Sequence, residues 1–130
     1  MAQHWLAGRL AVVTGASRGI GAATAAAVAA AGAHVVLAAR DGQALDGVAG
    51  RIKDAGGQAT PVPTDVSDEA AVERLFAEVT AVGQLGALVC AAGVLTPAPF
   101  AETTSATWDE TLGQPDGYVP VLPCGVHRRR

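Results

Sequence analysis

Cysteine, long apolar runs and net charge are all scarce in this chain of 130 residues. Its two cysteines, Cys90 and Cys124, cannot build the disulfide framework of a small secreted domain, so a reducing, cytoplasmic location is expected. No run of about eighteen apolar residues exists to span a membrane. Residues 1–5 lack the basic and apolar parts of a signal peptide. A net charge of −3 gives no reason to expect nucleic acid or a membrane surface as partner.

What the chain does have is apolar content, at 50% of its residues, with only 16% charged. This composition is typical of a globular protein, and the length suits a single domain with one core. Short apolar runs alternate with helical patterns along the chain. That alternation predicts βαβ units and a parallel sheet.

The segments that carry this pattern can be placed along the chain. Strands are expected at residues 9–14, 34–39, 59–63 and 87–93. Two helices are expected at residues 20–32 and 42–55. A third helix should begin after an N-cap at Ser67, and a fourth, containing Trp108 and Leu112, after an N-cap at Ser105. Pro61 and Pro63 lack the N–H that a strand ladder needs, so the third strand should lie at an edge. We expect a doubly wound α/β fold of Rossmann type, truncated after about four strands in the order 3-2-1-4.

A glycine-rich turn, Thr-Gly-Ala-Ser-Arg-Gly-Ile-Gly at residues 14–21, joins the first strand to the first helix. Gly15 permits the tight turn, Gly19 lets backbone approach a pyrophosphate, and Gly21 allows the helix to pack closely on the strand. N–H groups at the helix start would then face the anion. A turn whose glycines are coincidental is the alternative interpretation.

With this spacing and context, residues 9–112 resemble the amino-terminal, cofactor-binding half of the short-chain dehydrogenase/reductase family. The resemblance implies a Rossmann NADP-binding region at residues 8–112. It also implies an oxidoreductase that transfers hydride between NADP(H) and an alcohol or carbonyl substrate. The alternative is a non-catalytic nucleotide-binding fragment, or a non-functional frameshift product. The resemblance assigns the cofactor contacts to Gly15, Ser17, Arg18, Gly19, Ile20, Gly21, Arg40, Asp65, Val66, Ala91, Ala92 and Gly93.

The end of the second strand bears on the choice between NADP and NAD. NAD-binding folds place a carboxylate there for the ribose 2′-hydroxyl, whereas this sequence has Ala39 followed by Arg40. Together with Arg18, the Arg40 guanidinium suits a 2′-phosphate, so NADP is preferred over NAD. Asp41 is the counter-signal, and we interpret it as the start of the next helix. A solvated surface role for Arg40 is the alternative.

Asp65 and Val66 resemble the family's Asp-Val pair, whose aspartate meets the adenine amino group. The alternative is that Asp65 is a turn residue before the Ser67 cap.

Cys90 and Ala91 stand where the family has two asparagines, and Cys90 is expected to be a small buried residue rather than a nucleophile.

The catalytic residues of the family are missing. Its members use a Tyr-x-x-x-Lys pair, but this chain has one tyrosine, Tyr118, one lysine, Lys53, and Leu122 four residues after the tyrosine. No catalytic residue is therefore assigned, and the chain alone is expected to be inactive. His4, His34 and His127 show no metal-ligand spacing, so no metal site is expected.

Residues 113–130 differ from the rest, with three prolines and three arginines but one acidic side chain. The genetic code leaves the third position of many codons for this segment free. With third positions chosen within that freedom, reading the codons one nucleotide out of frame gives Val-Asn-Leu-Thr-Gly-Thr-Phe, which resembles the start of the family's next helix. We interpret the segment as a frameshifted tail without a fold of its own. The alternative is a genuine tail that binds through Arg128–Arg130.

A family-type tetramer is doubtful for this chain, and the open edge at Leu88 and Val89 predicts poor solubility.

Overall fold

Four short apolar segments form one parallel sheet in this computed structural model, which describes residues 4–93 and 99–107. The strands are β1 (Leu10–Thr14), β2 (His34–Ala39), β3 (Gln58–Pro63) and β4 (Leu85–Cys90). Their order across the sheet is β3-β2-β1-β4, and every neighbouring pair is parallel. This Rossmann-like α/β arrangement confirms the predicted order and the central position of β1.

Three helices connect these strands and cover both faces of the sheet. They are α1 (Gly19–Ala30), α2 (Gly42–Asp54) and α3 (Glu69–Val82), and a short 3₁₀ turn follows at Phe100–Glu102. Helices α1 and α2 pack in one buried cluster with Val13 and Leu37, whereas α3 packs in a second cluster with Val12 and Val36. Successive strand residues therefore enter opposite cores, which explains why the strands read as continuous apolar runs.

The two edges of the described sheet differ. Strand β3 forms one edge, as its two prolines predicted. Strand β4 forms the other and is hydrogen-bonded to β1 alone among the described strands, so its residues are only partly covered. The prediction that Cys90 is buried is wrong, because this residue ends the edge strand and is exposed.

The start of α3 also differs from the prediction. Asp68, not Ser67, is the N-cap: its carboxylate accepts a hydrogen bond from the Ala70 N–H at 3.0 Å. The Ser67 hydroxyl instead donates a hydrogen bond to Asp65 at 2.6 Å. Trp108, Leu112 and the predicted tail at 113–130 lie outside the described residues. No described helix has the length and apolar content that crossing a membrane requires.

The cluster beneath α3 gives a test of the fold. Leu75 is fully buried there, so Leu75→Ala should lower the free energy of unfolding by about 2–5 kcal/mol. Glu73→Ala, at an exposed position of the same helix, is the matched control and should stay within about 0.5 kcal/mol. Urea unfolding followed by circular dichroism measures both, and equal effects would contradict this packing.

Candidate functional site

A cleft of about 530 Å³ lies where the loops that follow the four strands meet, at the carboxyl ends of the parallel sheet. In open α/β sheets, this is the edge at which ligands bind. The cleft brings together all twelve residues that the sequence singled out: Gly15, Ser17, Arg18, Gly19, Ile20, Gly21, Arg40, Asp65, Val66, Ala91, Ala92 and Gly93. Four lining residues were not predicted as part of the site: Ala39, Asp41, Ala44 and Thr64.

The glycine loop forms the floor of this cleft by backbone contact. Gly15 has a φ of +64°, and a Cβ there would lie 2.5 Å from the Ala91 carbonyl oxygen. A Cβ on Gly21 would collide with the Gly15 carbonyl, so this glycine packs the helix on the loop rather than on the strand. Gly19, with a φ of +57°, has no atom within 4 Å of its Cβ position. The loop thus leaves open backbone at Gly19 for a ligand to approach.

The start of α1 offers an anion site next to this open backbone. The N-cap residue Arg18 is extended and its side chain does not cap the helix, and the first turn contains no acidic residue. Gly19, Ile20 and Gly21 all line the cleft. The first N–H groups and the positive end of the helix dipole are therefore available to a phosphate group.

Thr14 fixes the opposite wall, and the sequence reasoning did not single it out. Its fully buried hydroxyl oxygen accepts hydrogen bonds from the backbone N–H groups of Ala91, at 3.2 Å, and Ala92, at 3.3 Å. The turn after β4 is thereby attached to the end of β1. A polar residue that closes an otherwise apolar strand just before a glycine is the signal that could have identified it.

Asp65 and Arg40 stand on the wall formed by the ends of β2 and β3. One Asp65 oxygen, Oδ1, accepts from both the Ser67 hydroxyl and the Ser67 N–H, at 2.6 and 3.0 Å. These two hydrogen bonds are the main reason that the pKa of Asp65 lies below its ordinary value. The charge of Arg40 adds to the lowering and partial burial opposes it. Asp65 is thus both a turn residue and a lining residue of the cleft.

Asp41, the counter-signal for NAD, is the N-cap of α2, as the sequence interpretation expected. Its carboxylate accepts a hydrogen bond from the Ala44 N–H at 3.1 Å. The carboxylate therefore has a structural task at the helix start, although the residue also lines the cleft.

Other reactive groups in the described residues give no sign of catalytic chemistry. Desolvation raises the pKa of the Cys90 thiol, which disfavours the thiolate that a nucleophile needs. The His34 ring nitrogen Nε2 is hydrogen-bonded to the Thr60 hydroxyl at 2.7 Å, between two strands. Within residues 4–93 and 99–107, no three His, Cys, Asp or Glu side chains cluster in a way that could hold a metal.

Comparison with known proteins identifies relatives along most of the chain. The family model described as short chain dehydrogenase matches residues 9–113. The cis-4-hydroxycyclohexanecarboxylate dehydrogenase of Sinomonas cyclohexanicum is 42% identical over 124 residues, which cover 94% of this chain and 49% of the relative. The glycine betaine reductase of Emericella nidulans is 42% identical over 108 residues, which cover 82% of this chain and 8% of the relative.

Solved structures show the same relationship. A dehydrogenase/reductase from Sinorhizobium meliloti superposes with a TM-score of 0.87 at 36% identity, covering 97% of this chain and 51% of its own. A 3-oxoacyl-(acyl-carrier-protein) reductase from Agrobacterium tumefaciens, solved with NADP bound, gives a TM-score of 0.84 at 32% identity, covering 96% and 49%. The chain thus spans about half the length of these structures, and half or less of the curated relatives.

The hydrogen bonds at Asp65 predict a measurable pKa change. Ser67→Ala removes the hydroxyl donor, so the pKa of Asp65 should rise toward its ordinary value of 3.8, and Arg40→Ala should raise it less. Because the folded pKa is the lower one, the stability that Asp65 contributes is present above that ordinary value and is lost as the pH falls through the folded value.

Carbon-detected NMR titration of the Asp65 carboxyl group checks this order. Ser105→Ala, a serine change in the segment after β4, is the control and should leave the Asp65 titration unchanged. A Ser67→Ala variant with the wild-type Asp65 pKa would contradict the hydrogen-bond assignment.

Proposed function

This chain belongs to the short-chain dehydrogenase family, and we propose that its cleft binds NADP(H) as the cofactor region of an oxidoreductase. The proposed reaction is hydride transfer between that cofactor and an alcohol or carbonyl compound. The observation that carries the proposal is the convergence of the glycine loop, the α1 amino terminus and two arginines, Arg18 and Arg40, on one cleft.

The lining residues fit each part of such a cofactor. The open backbone at Gly19 and the N–H groups at the start of α1 suit the pyrophosphate. Arg18 and Arg40 suit a 2′-phosphate, and the residue before Arg40 is an alanine rather than the acid that a 2′-hydroxyl needs. Asp65 and Val66 would lie at the adenine, and Ala91, Ala92 and Gly93 beyond the pyrophosphate. When bound, the dinucleotide supplies or accepts the hydride.

Cofactor preference gives a direct test. Arg18→Ala and Arg40→Ala should each weaken NADPH binding about ten- to hundredfold, since each removes a charge-assisted contact to the 2′-phosphate. NADH binding should change by less than about twofold, because NADH lacks that group. Isothermal titration calorimetry on the full 130-residue chain measures both cofactors.

Arg51→Ala is the matched control, since Arg51 is an exposed arginine on α2 that does not line the cleft. It should leave both affinities unchanged. Equal losses for NADPH and NADH in the Arg18 and Arg40 variants would show that these side chains do not read the 2′-phosphate.

The proposal for this chain on its own is binding without turnover. Its sequence contains no Tyr-x-x-x-Lys pair, so it lacks the tyrosine that would exchange a proton with the substrate oxygen and the lysine that would lower the tyrosine's pKa. We expect NADPH binding but no NADPH oxidation above background when the chain is incubated with a panel of aldehydes and ketones. Absorbance at the reduced-nicotinamide band follows the reaction, and clear turnover would refute this expectation.

The frameshift interpretation of residues 113–130 also stays a proposal. The match to the Sinomonas cyclohexanicum dehydrogenase takes in 94% of the chain, so part of it lies beyond Leu112. That extent supports the alternative of a genuine segment. Sequencing the DNA past codon 112 separates the two, because a frameshift requires a second frame that continues into a Tyr-x-x-x-Lys pair.

A further inference from the structure

A carboxylate is fixed in the cleft wall directly after Arg40. Asp41 is the N-cap of α2, and its Oδ1 accepts a hydrogen bond from the Ala44 N–H at 3.1 Å. Its backbone carbonyl accepts a second one from the Leu45 N–H, also at 3.1 Å. Both the side chain and the backbone of Asp41 are therefore held by the first turn of the helix.

The N-cap hydrogen bond engages one oxygen of Asp41 and leaves the negative charge at the cleft surface. Within the described part of the chain, Oδ2 has no hydrogen bond and the carboxylate has no ion pair within 4 Å. Asp41 is exposed, and it lines the cleft together with Ala44. The first turn of α2 contains no further acidic residue. A ligand that enters this side of the cleft thus meets the charge of Asp41.

The position of Asp41 makes that charge relevant to one group of the proposed cofactor. Arg40, its neighbour in the chain, is the residue proposed to bind the 2′-phosphate, and consecutive Cα atoms are only about 3.8 Å apart. Two like charges brought together in this way repel each other, whereas an uncharged 2′-hydroxyl does not experience this repulsion. Asp65, the other carboxylate of the cleft, follows β3 and accepts two hydrogen bonds from Ser67.

We propose that Asp41 is a specificity-determining residue, whose carboxylate opposes the 2′-phosphate and so limits the preference for NADP(H) that Arg18 and Arg40 create. This inference rests on the proposed function. It gives Asp41 a task in the cleft besides its task as the N-cap of α2. It also implies that NADH binds with an affinity closer to that of NADPH than the two arginines alone would produce, since a repulsive element sets specificity as effectively as an attractive one.

The test removes the charge of Asp41 and keeps the cap. In Asp41→Asn the amide oxygen can still accept from the Ala44 N–H, because asparagine is as good an N-cap as aspartate. NADPH should bind about two- to fivefold more tightly to this variant, the size typical of interactions between exposed charges, and NADH affinity should not change. Asp41→Glu retains the charge and should retain the wild-type ratio of the two affinities. Isothermal titration calorimetry on the full 130-residue chain measures both cofactors.

Asp68→Asn is the matched control. Asp68 is the N-cap of α3 and accepts from the Ala70 N–H at 3.0 Å, but it does not line the cleft. This variant therefore undergoes the same change of net charge and of N-cap residue as Asp41→Asn. It should leave the ratio of the NADPH and NADH affinities at its wild-type value.

Salt gives a second measurement, because screening weakens a repulsion between exposed charges. The Debye length falls from about 30 Å at 0.01 M to about 8 Å at 0.15 M, so the NADPH gain of Asp41→Asn should shrink over this range. A variant without any gain, a gain that Asp68→Asn shares, or a gain that salt leaves undiminished would overturn the role of Asp41 while the proposed function stands. A wild-type chain that binds neither NADPH nor NADH would overturn the proposed function and this inference with it.

Discussion

The close approach of three backbone segments is the constraint on which the site depends. The Gly15 Cα faces the Ala91 carbonyl so closely that a side chain has no room, and Gly21 faces Gly15 in the same way. The start of α1, the loop after β1 and the turn after β4 are therefore held together without intervening side chains. The two hydrogen bonds from the backbone of the turn after β4 to the Thr14 hydroxyl also fix the orientation of that turn relative to β1. A cleft with a backbone floor follows, and successive backbone N–H groups of such a floor can bind one phosphate together.

Electrostatics then distinguishes the two ends of the cleft. At the α1 end the field comes from a helix terminus that has neither a side-chain cap nor an acidic first turn. At the β2–β3 end Arg40 shares the wall with two carboxylates, Asp41 and Asp65, while Arg18 lines the cleft from the glycine loop. Each carboxylate is already hydrogen-bonded within its own turn, Asp41 to the Ala44 N–H and Asp65 to Ser67. The arginines are the groups left to meet an incoming anion, which is why a cleft lined by two arginines and two aspartates can still favour a phosphate.

The sequence predicted the strand order and the cleft because both depend on local signals. Apolar runs of strand length, prolines in β3 and glycines at fixed spacing are each readable without a structure. The errors arose where two neighbouring residues could do the same task. Ser67 and Asp68 are both good N-caps; in the structure the Ser67 hydroxyl donates to Asp65, and the Asp68 carboxylate accepts from the Ala70 N–H. Cys90 was predicted to be buried because it ends an apolar strand. The exposure of a strand residue also depends on which elements lie beside the strand, and the sequence pattern of the strand itself does not contain that information. Thr14 was missed because its hydrogen bonds join residues 77 and 78 positions away.

The two faces of the sheet also differ in how they are covered, and this bears on the chain's behaviour. Helices α1 and α2 enclose the cluster around Val13 and Leu37, whereas α3 is the one helix among the described residues that covers the cluster around Val12 and Val36. Leu88 of the edge strand β4 reaches that second cluster but stays only partly buried. Within the described residues, the burial of the second core therefore comes from one helix, and the β4 side contributes less burial than the centre of the sheet. The cleft includes residues from both the well-covered and the partly covered part of the sheet. Its β4 side is attached to β1 through the hydrogen bonds to Thr14, whereas its Arg40 side follows directly from the buried strand β2. Loosening of β4 would thus alter the Ala91–Gly93 side of the cleft before it altered the side that carries Arg40.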